Sequence, residues 1–154
     1  MTRRVEPVRV QTIDSKHPHG RFPNLMRGVT ATRPNQVWVA DMTYIRLGTR
    51  FIYLAVVLNT YSRAVRGWCV SRTLKQDMTL AATRMALASA VPVIFHSDQG
   101  SQYAAWLHTD LLHSAGIHIS MSDAGKPQQN GIVERFMRTL KEEHVDYTEY
   151  NLLR

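Results

Sequence analysis

Three carboxylates stand out by their placement. Asp41 interrupts an apolar run, Val37-Trp38-Val39-Ala40-Asp41-Met42-Thr43-Tyr44-Ile45, and thirty-five residues separate Asp98 from Glu134. Acids drawn from distant parts of a chain could converge on a pair of divalent cations, an arrangement suited to in-line attack on a phosphodiester. Aspartate is depleted in strands, and a buried carboxylate is costly without a cation or donors, so Asp41 needs a partner. The plain alternative is an edge position facing solvent, or pairing with an arginine. Asp98, ahead of Gln99-Gly100, is also compatible with an ordinary turn or cap.

Glu134 taken singly could be a solvated helix residue, but its surroundings are patterned. Val133, Phe136, Met137 and Leu140 fall at i, i+3, i+4 and i+7, an apolar stripe. Glu134, Arg138 and Lys141 form an adjoining stripe at the same spacing, one acid followed by two cations. That suits a carboxylate that grips metal while its neighbours grip phosphate. The alternative is a surface ion pair, which contributes only about 0.3–0.5 kcal/mol. Other chemistries find no support. The seven histidines include no HExxH and no paired Cys/His set, and no Walker-type loop or GxSxG elbow occurs.

The elements that must position these acids follow from periodicity and punctuation. Val37 to Ile45, Phe51 to Leu58 and Ala64 to Val70 read as strands joined by short turns, an antiparallel meander. A helix from Gln76 to Ala90 is stopped by Pro92, and a short strand, Val93 to His96, delivers Asp98 at its end. One helix from about Gln102, capped by Ser101, carries Tyr103, Leu107, Leu111 and Ala115 on a common face and ends at Gly116. Ile117 to Ser120 is a fifth strand, and the last helix runs from about Gln129 to His144. The order βββαβαβα predicts a mixed sheet with helices on its faces, in which ligand sites gather beyond strand ends.

With 154 residues, 44% hydrophobic and 20% charged, the chain reads as one domain with an ordinary core. The single cysteine, Cys69, sits among apolar neighbours and reads as a packed thiol. No segment resembles a signal peptide, and the longest apolar run, Phe51 to Leu58, is far short of a membrane span. The expectation is a cytoplasmic protein with no membrane partner. The net charge is +7, of which residues 1–36 carry +5 through seven basic residues against two acidic ones. Four of the six prolines also fall there, so residues 1–36 read as a basic arm or linker suited to polyanions, and residues 37–154 as the folded core.

Taken together, several segments resemble the integrase core of bacterial insertion-sequence transposases, the DDE group related to retroviral integrases. They are Val37-Trp38-Val39-Ala40-Asp41-Met42-Thr43-Tyr44, Tyr53-Leu54-Ala55-Val56-Val57-Leu58 followed by Tyr61-Ser62-Arg63, and Gly67-Trp68. His96-Ser97-Asp98-Gln99-Gly100-Ser101-Gln102-Tyr103 and Gly125-Lys126-Pro127-Gln128-Gln129-Asn130-Gly131-Ile132-Val133-Glu134-Arg135-Phe136 complete the set. The family keeps the same interval between its second Asp and its Glu, and a basic residue seven positions after the Glu, here Lys141. The resemblance covers about residues 30–150.

It implies a ribonuclease-H-like α/β fold with a mixed five-stranded sheet, three strands antiparallel and two parallel, flanked by helices. It implies DNA strand cleavage and strand transfer by Asp41, Asp98 and Glu134, binding Mg²⁺ or Mn²⁺, with two ions expected when DNA is bound. Lys126, Gln129, Asn130, Arg138 and Lys141 become candidate DNA contacts. The implied partners are DNA, both element ends and target, and either a second copy or a full-length transposase, with the protein on the nucleoid when bound. Relatives of this kind continue with further helices and carry an upstream helix-turn-helix segment, so the resemblance implies a core incomplete at its C-terminus. Asn59 stands where many relatives have Asp, a difference expected to leave the metal site untouched. Two alternatives stay open: a nuclease on a similar fold, and a catalytically inactive remnant that binds DNA or its full-length relative.

Overall fold

β-Branched and aromatic residues dominate three consecutive segments, and these pair as the antiparallel β1 (Val37–Leu47), β2 (Arg50–Asn59) and β3 (Val65–Ser71). The computed structural model describes residues 22–75, 77–123 and 131–144. Two short strands, β4 (Ile94–Ser97) and β5 (His118–Met121), add in parallel on the other side of β1, giving the order β3-β2-β1-β4-β5. The mixed sheet expected from the sequence is therefore present, with β1 central and joined to both halves.

Alternation along the strands sorts side chains between two cores. Trp38, Ala40, Ala55 and Val57 pack with α1 (Met78–Leu87), α2 (Ser101–Ala104) and α3 (Trp106–Ser114) through Met78, Ala82, Tyr103 and Leu112. Val39, Leu54, Val56 and Leu58 face the opposite way and pack on Val133 and Met137 of α4 (Gly131–Thr139). At Gly67 of β3 the helix α1 comes so close that an added Cβ would lie 2.1 Å from the Ala82 carbonyl oxygen, so this crossing admits only glycine.

Two expectations about the helices need correction. The predicted single helix from Gln102 to Gly116 is broken at Ala105, whose backbone is extended (φ −61°, ψ 143°). The break turns the second half so that His108, Thr109 and Leu112 face inward while Leu107 points to solvent. The buried His108 provides the reason: its Nε2 lies 2.9 Å from Thr83 Oγ1 of α1, and its Nδ1 lies 3.2 Å from the Tyr103 carbonyl oxygen. The second correction concerns the cap. Ser101 is the first helical residue and Gly100 is the N-cap, with no side-chain capping bond. The last helix is α-helical to Thr139 and continues as wider π-type turns over Leu140–His144.

Residues 1–21 of the basic arm lie outside the described residues, but its continuation is docked. Phe22 packs against the first core and stands edge-on to His113, with ring centroids 5.9 Å apart. The Pro23 carbonyl accepts from the Met121 N–H at 3.2 Å, and the Leu25 N–H donates to Ser120 Oγ at 2.8 Å. This segment covers the outer edge of β5, where unpaired strand groups would otherwise be exposed.

Candidate active site

β1 and β4 separate immediately after a short parallel pairing, and that fork positions the first two acids. Their register runs Val37↔Ile94, Trp38↔Phe95 and Val39↔His96, then stops. Continued by two residues, the same register sets Asp41 beside Asp98. Asp41 lies opposite Val56 on β2, so its side chain shares the sheet face of Val39 and Val56, the face that α4 covers. Val133 and Met137 are buried against that face, which brings Glu134, in the first turn of α4, within range of Asp41.

Electrostatics record the proximity. Burial pushes the Asp41 carboxyl up to about 6; the Met42 N–H donated to Oδ1 (2.8 Å) opposes this, the Asp98 and Glu134 charges raise it further, and Lys141 lowers it. The other two predicted acids and the predicted lysine therefore all act on Asp41. Asp98 is exposed, and its Oδ1 accepts the Gly100 N–H at 2.7 Å. An added Cβ at Gly100 would stand 2.7 Å from that same oxygen, so the residue after Gln99 must be small for the carboxylate to hold this pose.

The convergence is looser than a preformed cage. Among the described residues, no three His, Cys, Asp or Glu side chains are gathered closely enough to hold a metal ion. Mutual repulsion among three like charges favours that spacing. The donor set still fits a hard divalent cation: each acid offers carboxylate oxygen, and a carboxyl raised by burial and by two like charges is relieved by positive charge. Tyr103 supports the same view. It is buried, its hydroxyl has no hydrogen-bond partner, and both Asp41 and Asp98 act on it, adding to burial in pushing its phenol up. An unpartnered buried hydroxyl beside two carboxylates marks a polar site rather than ordinary core. Sequence reasoning took Tyr103 as an apolar helix-face residue; its position five residues after Asp98, with a polar tip, was the available signal.

The remaining candidates divide. Arg138 is exposed, and among the described residues no ion pair joins it to Glu134, so the surface-pair alternative does not hold there. Lys141 is half-buried, with Nζ 5.4 Å from the Tyr44 ring centroid. Lys126, Gln129 and Asn130 lie outside the described residues. Asn59 sits three residues from the Val56 that faces Asp41, and there it accepts from the Asn35 and Tyr61 N–H groups at 3.4 and 3.2 Å, a turn-holding role away from the acids.

Beside the acids lies a second polar group of a different kind. Buried His96 has Nδ1 2.8 Å from Ser120 Oγ and Nε2 3.2 Å from Ser122 Oγ. Burial lowers its pKa to about 4, against the opposing pull of Asp98. Gln99 Nε2 donates to the Ser122 carbonyl at 2.8 Å, tying the turn that bears Asp98 to the end of β5.

Comparison with known proteins identifies the family. The chain is 37% identical over 128 residues to the transposase for insertion sequence element IS904 of Lactococcus lactis, an alignment covering 80% of this chain and 51% of the relative. It is 38% identical over 118 residues to transposase InsF for insertion sequence IS3A of Escherichia coli K12, covering 75% and 41%. It spans about half the length, or less, of these curated relatives. The fold is similar to the HTLV-2 integrase catalytic core domain solved with magnesium (TM-score 0.59, 22% identity, 71% of this chain and 70% of that one). It is also similar to a chain of the simian T-cell lymphotropic virus intasome (TM-score 0.66, 22% identity, 84% and 45%). Residues 31–127 match the profile of the integrase core domain, and residues 115–154 match a second profile of the same description. With a mixed sheet of ribonuclease-H-like order and matches over most of its length, the chain belongs to the integrase core domain family.

Proposed function

We propose that this chain is the catalytic core of a DNA transposase, a polynucleotidyl transferase that cuts and joins DNA strands. The observation that carries this reading is the coupling of the half-buried Asp41 to both Asp98 and Glu134 at the fork between β1 and β4. Asp41, Asp98 and Glu134 would hold Mg²⁺ or Mn²⁺, two ions once DNA is present. Such ions supply charge at the reacting phosphate and make a water or a DNA 3′-hydroxyl a better nucleophile.

The protein's own groups position and hold charge. Asp41 would serve as its carboxylate, the form that burial disfavours and a bound cation would favour. The Gly100 N–H fixes one oxygen of Asp98, leaving the other free. Lys141 and Arg138 lie on the helix that carries Glu134 and would hold phosphates along the bound strand; Lys126, Gln129 and Asn130 of the preceding segment would extend that contact. Phosphate contacts of this kind fix register without reading sequence. The partners would be element ends and target DNA, together with a second copy or a longer relative, and the setting would be the bacterial nucleoid.

Incubating the purified chain with a labelled DNA end and Mn²⁺ tests the reading. Joined product is expected, and Glu134→Gln should abolish it while DNA affinity stays within about twofold, since the lost group binds metal rather than phosphate. Equal turnover by Glu134→Gln, or nicking without joining, would remove the assignment. Melting gives an independent readout: Mn²⁺ should raise the transition of the unmodified chain and leave that of Glu134→Gln nearly unmoved.

A further inference from the structure

The strands β1 and β2 run on past their neighbours. β4 pairs with β1 only as far as Val39, and β3 pairs with β2 only from Tyr53 onward, so residues 44–51 form a two-stranded ribbon that no further strand flanks among the described residues. Tyr44 pairs with Tyr53 and Arg46 with Phe51, which sets Tyr44, Arg46 and Phe51 on one face. The Tyr44 and Phe51 rings meet edge to face at 5.5 Å (77°). They are 58% and 44% exposed, and neither belongs to either core. Two large rings left in water beside each other are not explained by folding.

Charge indicates what would cover them. No acidic residue occurs between Asp41 and Asp77, whereas Arg46, Arg50, Arg63, Arg66, Arg72 and Lys75 all do. Arg46 and Arg50 flank the hairpin turn and are exposed; Arg46 Nε donates to the Gly48 carbonyl at 3.1 Å, which holds the guanidinium at the tip. Tyr44 and Phe51 lie on the sheet face opposite Asp41, and Lys141 bridges the two, with Nζ over the Tyr44 ring and its charge acting on Asp41. Stacking faces interleaved with cations fit single-stranded nucleic acid, because unpaired bases offer a π-face and phosphates offer negative charge. A blunt duplex offers the phosphates alone along its length.

We propose that the β1–β2 hairpin end, through Tyr44, Phe51, Arg46 and Arg50, binds unpaired nucleotides of the DNA strand whose phosphate lies at Lys141 and the acids. The inference rests on the transposase reading above and adds a preference for frayed or tailed ends. The platform holds the strand open beside the reacting phosphate, with Tyr44 also keeping Lys141 at the fork.

Fluorescence anisotropy with the full chain tests it, using a single-stranded oligonucleotide, a blunt duplex of the same sequence and that duplex with an unpaired tail. In the Tyr44→Leu/Phe51→Leu variant, affinity for the single strand and the tailed duplex should fall at least about tenfold, given the contribution of base–aromatic stacking. Blunt-duplex affinity should change less than about twofold, because phosphate contacts remain. Tyr44→Phe should retain tight tailed-duplex binding, since the ring is kept. Equal losses on blunt and tailed duplex, or no loss on either, would overturn the platform. A chain that joins DNA ends yet is indifferent to these rings defeats this inference alone; a chain that binds no form of DNA defeats the transposase reading with it.

Discussion

His96 on β4 and Asp98 just past its end are two residues apart, yet they belong to differently built surroundings. His96 is sealed inside, and each ring nitrogen meets a serine hydroxyl. A neutral imidazole has one donor and one acceptor, and a hydroxyl can serve either, so this cluster is complete in itself. The acid cluster beside it is not. Asp41 is raised by burial and by two like charges, and the Tyr103 hydroxyl has no partner. Polar groups that only support a fold are closed by the fold. A carboxyl raised by burial and like charges, in range of an unpartnered hydroxyl, marks where something from outside is to bind.

Opposite responses to truncation would sharpen that contrast most. Asp41→Asn should reduce Mn²⁺-dependent DNA joining by at least about a thousandfold, because a ligand oxygen and its charge are lost. The same change should stabilise the metal-free chain by about 1–2 kcal/mol at pH 8, since a disfavoured charge is removed. His96→Ala should do the reverse to stability, costing about 3 kcal/mol through a cavity and the loss of two buried hydrogen bonds. Urea unfolding of both variants decides the matter. If Asp41→Asn were the more damaging to the fold, Asp41 would be a structural group and the contrast would fail.

The titration curve probes the same two clusters at smaller amplitude. His96 and His108 are both lowered from 6.5 to about 4 by burial. Between those values the unfolded chain binds protons that the folded chain refuses, so each histidine makes stability rise with pH across that window. Asp41 acts in the opposite sense. Its carboxyl is raised from 3.8 to about 6, so its contribution is present in acid and is lost as pH rises through that range. Two histidines against one aspartate leave a net loss of stability on acidification from pH 6.5 to 4, with a slope of about 1 kcal/mol per pH unit. Asp41→Asn should steepen that fall. A stability curve flat from pH 4 to 7, measured by urea midpoint, would mean that the histidines are not held neutral.

Legibility in the sequence followed the length of the pattern. The long apolar runs of β1 and β2 and the stripe on α4 specify strands and a helix unambiguously, and the acids they carry are fixed by those elements. Asp41 drew notice because an aspartate within an apolar strand has few explanations. What escaped notice lies in partner choice. Nothing in the sequence links His108 to Thr83, His96 to Ser120 and Ser122, or Lys141 to Tyr44, because each contact joins elements distant along the chain. The docking of Pro23 to Leu25 along β5 was hidden for a related reason: the segment forms no strand and shows no period, and its hydrogen bonds are visible only once the β5 edge exists.

The smallest expected effect concerns the break at Ala105, which divides a buried polar helix face from an exposed apolar one. A continuous helix would place Leu107 with Tyr103 and Leu111 against the sheet. The observed break instead leaves Leu107 71% exposed and buries Leu112 completely. Leu107→Gln should therefore alter stability by less than about 0.5 kcal/mol, the range of an ordinary surface change. Leu112→Ala, by contrast, should cost about 3 kcal/mol by leaving a cavity between α3 and the first core. Thermal melting of the two variants side by side checks both. A loss of 2 kcal/mol or more from Leu107→Gln, the scale of a core truncation, would restore the unbroken helix and remove the basis for burying His108. The break matters to the acid cluster because α2, ending there, is the element that carries Tyr103, on which both Asp41 and Asp98 act. A helix that ran on without interruption would have to orient Tyr103 and His108 by one rigid spacing. The interruption keeps Tyr103 within range of the acids while the imidazole turns to Thr83.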